Sequence, residues 1–252
     1  MLKYLFPFLI LLIPLDASAY SLITKVADGH LVRIFHIPRN DVYRVKAGAS
    51  NSGTTLQSLV KKGRGVAGIN GAYFLMSDYK GKPDRTNAVR IIDRKWFIYS
   101  RFYPDTGISG IFWFLWDNSP ILVQNNMYGT DDIKENFNVR FLWGLESGIS
   151  NFPILLVNGM SYIFRYNDFG FINNNMKKVQ TNSFICRTEY GDVKMWTIEN
   201  ISILDVPDFI IRFGCKDAIN LDGGQSLALY NNWKYIVGPG RNIMDAFIIM
   251  KK

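Results

Sequence analysis

Asp222 heads the densest cluster of chemistry-bearing residues in the chain, Asn220-Leu221-Asp222-Gly223-Gly224-Gln225-Ser226. The run Lys216 to Leu221 reads as a short buried strand. Gly223 and Gly224 end it, because glycine turns freely through positive φ and lets a ligand approach the backbone. Asp222 is then held at a strand end. The amides of Gly223, Gly224 and Gln225 can form an anion-binding concavity, with Gln225 and Ser226 supplying directional hydrogen bonds. Asp-Gly is also a hairpin signal, so a plain tight turn is the competing reading.

A second polar cluster, Asn70-Gly71-Ala72-Tyr73-Phe74, follows the apolar strand pattern Val66 to Asn70. Each cluster is preceded by a short helix. Ser52 to Thr55 offers capping hydroxyls before the amphipathic Leu56 to Lys62, which Gly63 stops. The second helix begins near Leu204 to Pro207 and covers Asp208 to Phe213, with Ser202 or Asp205 as cap, Pro207 in the first turn and Gly214 at the end. Two helix-strand units that each deliver polar residues at a strand end predict a shared pocket.

The remaining pattern is strand-rich. His30 to His36 and Val42 to Val45 alternate, and Pro38-Arg39-Asn40-Asp41 between them predicts a hairpin. Val89 to Ile92, Trp96 to Tyr99, Ile108 to Leu115, Ile121 to Val123 and Ile154 to Val157 are further strand candidates. Asp117 to Pro120 and Asn173 to Asn175 read as turns. The expected fold class is α+β: a mixed, largely antiparallel sheet core with a few flanking helices, in a single domain over residues 20–252.

Residues 1–19 read as a secretory signal peptide, with Lys3, the apolar run Tyr4 to Leu15, and Ala17-Ser18-Ala19 as the cleavage pattern. The apolar run is shorter than the roughly 20 residues a spanning helix needs, and Pro7 and Pro14 interrupt it. A secreted or periplasmic protein with no stable membrane span after cleavage is expected. The net charge of +8 favours anionic partners. The basic residues are scattered rather than striped, which argues against nucleic acid. Cys186 and Cys215 are either one disulfide or two buried thiols. With only His30 and His36 besides, no metal-ligand spacing exists, and neither metal nor cofactor is expected. The same two histidines leave Ser226 without an evident base for nucleophilic catalysis.

Three blocks together resemble the phosphodiester glycosidase family: Gly68 to Phe74, Ala218 to Ser226, and Arg241-Asn242-Ile243. Gly144 to Gly148 followed by Phe152 to Gly159 is similar to the family's central segment. The order and rough spacing agree over most of the chain after residue 19. One departure falls at Thr181 to Cys186, where Asn182, or Thr181 in a shifted register, stands where the family usually has arginine, and Cys186 replaces a glycine.

The resemblance implies hydrolysis of a sugar-1-phosphodiester at the anomeric carbon, with a phosphorylated carbohydrate or anionic glycan as partner. Such a bond breaks through an oxocarbenium-like state that needs a nearby carboxylate, for which Asp222 is the first candidate. Glu146 is the second carboxyl, an acid or base whose separation from Asp222 would decide the stereochemistry. Arg241 suits the departing phosphate, since a guanidinium grips it bidentately. Asn70, Gly71, Tyr73, Asn182, Gly223, Gly224 and Ser226 complete the expected substrate-binding set. The rival readings are a glycan-binding envelope protein of the same fold without turnover, and a phosphodiesterase that cuts the phosphorus–oxygen bond.

Overall fold

Strand β14 (Gln180–Thr188) shows how alternating side chains build the layers. In the computed structural model its Phe184 and Cys186 enter one apolar core, while Ile185, between them, enters another. The structure describes residues 19–40, 42–76, 83–86, 89–97, 109–125, 144–163 and 177–252. The predicted signal segment, apart from Ala19, lies outside the described residues, as do the Asn173 to Asn175 turn and the end of the Trp96 to Tyr99 run.

Three sheets carry the fold. The first has seven strands in the order β1 (Ser21–Ala27), β2 (His30–Ile37), β15 (Val193–Ile201), β14, β16 (Cys215–Asn220), β12 (Ile154–Val157) and β13 (Met160–Ser161). The second orders β10 (Pro120–Asn125), β9 (Ser109–Leu115), β11 (Leu145–Asn151), β7 (Arg90–Ile92) and β8 (Lys95–Phe97). The third orders β18 (Lys234–Val237), β17 (Leu229–Asn231), β4 (Ala67–Asn70), β19 (Ile243–Lys251) and β3 (Tyr43–Thr54). A ribbon of β5 (Phe74–Met76) and β6 (Pro83–Thr86) stands apart.

All three sheets contribute to the central core, with Phe35 and Ile219 from the first, Phe112 and Ile149 from the second, and Ile69 and Phe247 from the third. Helix α1 (Leu56–Lys62) lies on the outer face of the third sheet, where Leu56, Leu59 and Val60 pack with Tyr230 and Ile248. Thr55 caps it by accepting the Ser58 amide, as the hydroxyl-rich approach predicts. Helix α2 (Val206–Ile211) packs Val206, Phe209 and Ile210 against the outer face of the first sheet. It starts at Val206, within the expected Leu204 to Pro207, and ends at Ile211 rather than Phe213; Asp205 occupies the cap position without a side-chain bond, and Pro207 sits in the first turn.

Two expectations are corrected. Every described strand pair is antiparallel, and strands far outweigh the two described α-helices, so the fold is more β-rich than a balanced α+β class. The expected hairpin across Pro38 to Asp41 does not form either. Strand β2 pairs with β1 through Asp28-Gly29, both at positive φ, a two-residue connection matched to strand twist. Its other edge is taken by β15. The longer Pro38 link carries the chain to the third sheet, where β3 pairs with β19. The outer edge of β3 is shielded, since the Val45 and Ala47 amides donate to the side chains of Asn118 and Ser147.

Of the two readings left open for the cysteines, the structure takes the bridge. Cys186 of β14 is bonded to Cys215 at the start of β16, across a sequence separation of 29. Closing a loop of that size stabilises the fold by about 3 kcal/mol. The Cys186→Ala/Cys215→Ala double variant should lose about that much in urea unfolding. A loss under about 1 kcal/mol would show that the bridge contributes little beyond packing.

Candidate active site

Strand β16 runs inside the first sheet between β14 and β12, and its apolar residues carry the chain directly to Asn220. Past the strand, the Leu221 amide still donates to the Ser183 carbonyl, but the Asp222 amide donates at 2.8 Å to the Gly71 carbonyl at the end of β4. The Asp222 carbonyl accepts from Asn70 Nδ2 at 2.5 Å and from Ser183 Oγ at 2.8 Å. The two strand ends expected to share a pocket are therefore joined through the main chain of Asp222. The third arm of Asn70, its Oδ1, accepts the Ala228 amide. Asn70 thus fixes the backbone around Asp222 rather than turning its amide outward.

The Asp222 side chain is buried, and its Oδ2 accepts no hydrogen bond among the described residues. Its carboxyl is pushed up to about 6, chiefly by loss of water on burial. A hydrogen bond from the Ser226 side chain, the positive charge of Arg241 and the Gly223 amide oppose that rise, while the nearby charge of Asp245 adds to it. Ser226 lies in a one-turn 3-10 helix (Gly224–Ser226) that Gly224 enters at φ +55. The fully buried Ser226 Oγ accepts from Arg241 Nε at 2.7 Å, so the hydroxyl links guanidinium and carboxylate.

Further contacts set Arg241 besides its bond to Ser226. Its amide donates to the Gln225 carbonyl, its Nη2 stands 3.7 Å from Asp222 Oδ2, and its guanidinium lies 4.8 Å from the centre of the Phe74 ring. A cleft of about 420 Å³ opens beside it, lined by Gly224, Gln225, Leu227 and the Val237 to Arg241 loop. The Gly223 amide is already engaged by the Asp222 carboxylate, so the expected concavity is narrower than three amides.

Tyr73 is partly buried against Phe152, and its hydroxyl accepts from Asn220 Nδ2 at 2.7 Å. Burial first, and then the charge of Asp222, push its phenol far up, so it stays protonated and keeps an O–H to donate. Asn151 joins the same corner, donating to the Asn220 carbonyl at 2.8 Å. Gly71 is required by contact rather than by φ: a Cβ there would fall 2.2 Å from Asp245 Oδ1.

Two expected residues stand elsewhere. Glu146 is ion-paired with Lys46 at 2.5 Å and with Arg44 at 3.5 Å. It lies five residues before Asn151, roughly 16 Å along the strand from the Asp222 corner. Asn182 is buried in β14 with its amide donating to the Ile201 carbonyl at 2.8 Å. It belongs to the sheet, although the neighbouring Thr181 carbonyl underlies Gly223. Asp245 sits fully buried under the Gly71 turn, its Oδ1 accepting the Ala72 amide at 2.7 Å. Its signal was a lone acid inside the apolar strand Ile243 to Ile249. Ser183 and Asn151 gave no comparable signal.

His30 and His36 bond to the Glu199 carbonyl and to Asp192, and among the described residues no cluster of three potential metal ligands forms. No helix among the described residues is long and apolar enough to cross a membrane.

Comparison with known proteins agrees with this architecture. The catalytic domain of zebrafish N-acetylglucosamine-1-phosphodiester alpha-N-acetylglucosaminidase, auto-inhibited by its pro-peptide, superposes with a TM-score of 0.66 at 17% identity, covering 93% of this chain and 83% of that one. A hypothetical protein from Synechocystis gives 0.64 at 12% identity, covering 92% of this chain and 62% of that one. A candidate exported protein of Burkholderia pseudomallei gives 0.62 at 10%, covering 88% and 74%. At these identities the likeness is one of fold. No curated protein matches the chain. The family model for phosphodiester glycosidases matches residues 63–250, the span that holds β4, the Asp222 turn, Arg241 and nearly all of β19, and the chain belongs to the phosphodiester glycosidase family.

Proposed function

We propose that the protein hydrolyses a sugar-1-phosphodiester at the anomeric carbon, releasing the sugar and leaving a phosphomonoester. The observation that carries this reading is the buried Asp222 carboxylate, whose Oδ2 accepts no hydrogen bond among the described residues while a guanidinium stands beside it. The carbon–oxygen bond to phosphate breaks with its electron pair going to the phosphate oxygen. Arg241 neutralises that departing charge. Ionised Asp222 faces the oxocarbenium-like carbon and takes the proton of the attacking water, whose oxygen forms the new bond to the sugar. Tyr73, held protonated, donates to a sugar or phosphate oxygen. Glu146, spent on Lys46 and Arg44, has no step in this scheme.

Action outside the cytoplasm, on envelope or extracellular glycans, is part of the proposal. The signal-like residues 1–19 and the Cys186–Cys215 bridge support it. A second reading, a glycan-binding protein without turnover, is favoured by one observation: Asn182, which with Thr181 is a candidate for the family's arginine position, is committed to the Ile201 carbonyl. Hydrolysis of sugar-1-phosphodiesters in isotopically labelled water separates the readings. Label in the released sugar is expected, label in phosphate would identify a phosphodiesterase, and no turnover on any diester would leave the binding reading.

Asp222→Asn should abolish turnover and yet make the fold more stable at neutral pH. Because the folded-state carboxyl is raised from 3.8 to about 6, the stability it contributes is full below 3.8 and is lost as pH rises through about 6. At pH 7 that loss is about 3 kcal/mol, which asparagine removes; near pH 4 the two proteins should differ little. Urea unfolding at both pH values checks this, and an asparagine variant less stable than the parent at pH 7 would sink it. The wild-type kcat/KM should rise with pH through about 6 as Asp222 ionises.

Arg241→Ala should lower turnover of the phosphodiester by about 10²–10³-fold while affecting an activated glycoside without phosphate far less. Equal losses on both substrates would contradict the phosphate role.

A further inference from the structure

Strand β3 carries a basic trough that the proposed chemistry leaves unused. One cavity, of about 310 Å³, is lined by Lys46, Lys62, Arg64 and Asp93 over a floor of Gly48 and Ile248. A second, of about 390 Å³, is lined by Ser50, Asn51, Ser52, Lys62 and Arg90. They share Ala49, Lys62 and Ile92, which makes them two halves of one depression. From Lys46 to Ala49 the strand rises about 10 Å, and Ser50 to Gly53 then bulge out of the ladder, the register advancing five residues along β3 against two along β19, so the depression is longer than a single ion needs.

The charge in the trough is unevenly answered. Lys46 Nζ is paired with Glu146 and Asp93, whereas Lys62 and Arg64 have no carboxylate partner among the described residues. Arg64 is also conformationally expensive. It follows α1 at φ +54, in the left-handed region that favours glycine. Its neighbours Gly63 and Gly65 are explained by packing, since a Cβ at either would meet Ile248 at 2.9 or 2.3 Å. The helix cap accounts for the conformation, since the Arg64 amide donates to the Lys61 carbonyl and the Gly65 amide to the Val60 carbonyl, but not for the choice of an arginine, whose side chain lines the cavity.

The second half of the trough supplies hydroxyl and amide groups suited to sugar hydroxyls, with Arg90 forming a wall through its bonds to the Ser50 and Met244 carbonyls. In the ladder, Ala49 of β3 stands opposite Asp245 of β19, so the trough runs toward the strand level of the Asp222 corner. We infer that it holds a strand of anionic polysaccharide, with Lys62 and Arg64 pairing to carboxylate or phosphate groups along the chain. This deepens the proposed function and rests on it only in taking the ligand to be a glycan.

Calorimetric titration with oligogalacturonate, a phosphomannan oligosaccharide and a neutral mannooligosaccharide, at low and high salt, tests the inference. The two anionic chains should bind, more weakly at high salt, and the neutral one should not. Lys62→Ala and Arg64→Gly should each weaken anionic binding roughly tenfold. Both should leave turnover of a small sugar-1-phosphodiester unchanged, and Arg64→Gly, by relieving the backbone, should raise the melting temperature. Binding of only one anionic class would support the trough and name its ligand. Equal binding of the neutral chain, or unchanged binding in both variants, would overturn it. Intact trough binding in a protein that turns over no small diester would remove the proposed reaction and leave the trough standing.

Discussion

Asp222 is held by its main chain before its side chain does anything. Its N–H is bonded to the end of β4 at Gly71, and its carbonyl accepts from Asn70 of β4 and Ser183 of β14. One residue thereby stitches the third sheet to the first. Each bond adds only about 1 kcal/mol net, but leaving a buried donor or acceptor unpaired costs about 1–3 kcal/mol, so the arrangement resists small displacements. The rest of the corner inherits its position. The one-turn helix that brings Ser226 under Arg241 starts two residues later, and Tyr73 follows Gly71 by two residues. Proximity effects make this important, since about 1 Å of misplacement costs an enzyme on the order of a hundredfold.

The electrostatics depend on that rigidity. Burial drives the Asp222 carboxyl toward its neutral form, and a direct bidentate pair with arginine would reverse the effect completely. The structure stops short of such a pair. Nη2 of Arg241 stands 3.7 Å from Oδ2, beyond hydrogen-bond range, while Nε is taken by Ser226 and the guanidinium face by Phe74. Attraction without locking leaves the carboxylate able to serve a reacting carbon and the guanidinium near the open cleft. Asp245 pushes the same way, because a second buried negative charge raises the proton affinity of the first.

How much of this was legible in the sequence follows the range of the interactions involved. Helix α1 with its Thr55 cap, the apolar approach to Asn70, and the approach to Asp222 rest on local signals, and all were readable. The meeting of the two strand ends was readable because both deliver polar residues after the same helix-strand order. The partner of β3 was not, since it is β19, some two hundred residues away, and the local Pro38 link suggested a hairpin instead. The Asp28-Gly29 pair is itself a local hairpin signal, and it is the one the chain uses. The role of Asp245 is not legible, because a sequence shows a charge near Arg241 but not the buried amide of Ala72 that the carboxylate satisfies. Asn182 marks a departure from the family pattern that the sequence shows, yet its burial and its bond to Ile201 come from the neighbouring strand β15.

Three carboxylates of the same chemical class show why environment, rather than residue type, assigns the role. Glu146 has two cations within pairing distance, and its charge is consumed by Lys46 and Arg44. Asp245 is fully buried and spends an oxygen on the Ala72 amide, which makes it a brace for the turn beneath Asp222. Asp222 alone combines burial, one cation held just out of bonding range and an oxygen without a hydrogen bond among the described residues. A carboxylate left in that condition weakens the fold at neutral pH, and such a cost persists when the surroundings over-determine the geometry. Here the over-determination is visible in the backbone clamp from two sheets. The destabilised group and the bonds that hold it in place are therefore two sides of one device, and a positive charge developing on a substrate carbon is what would relieve it.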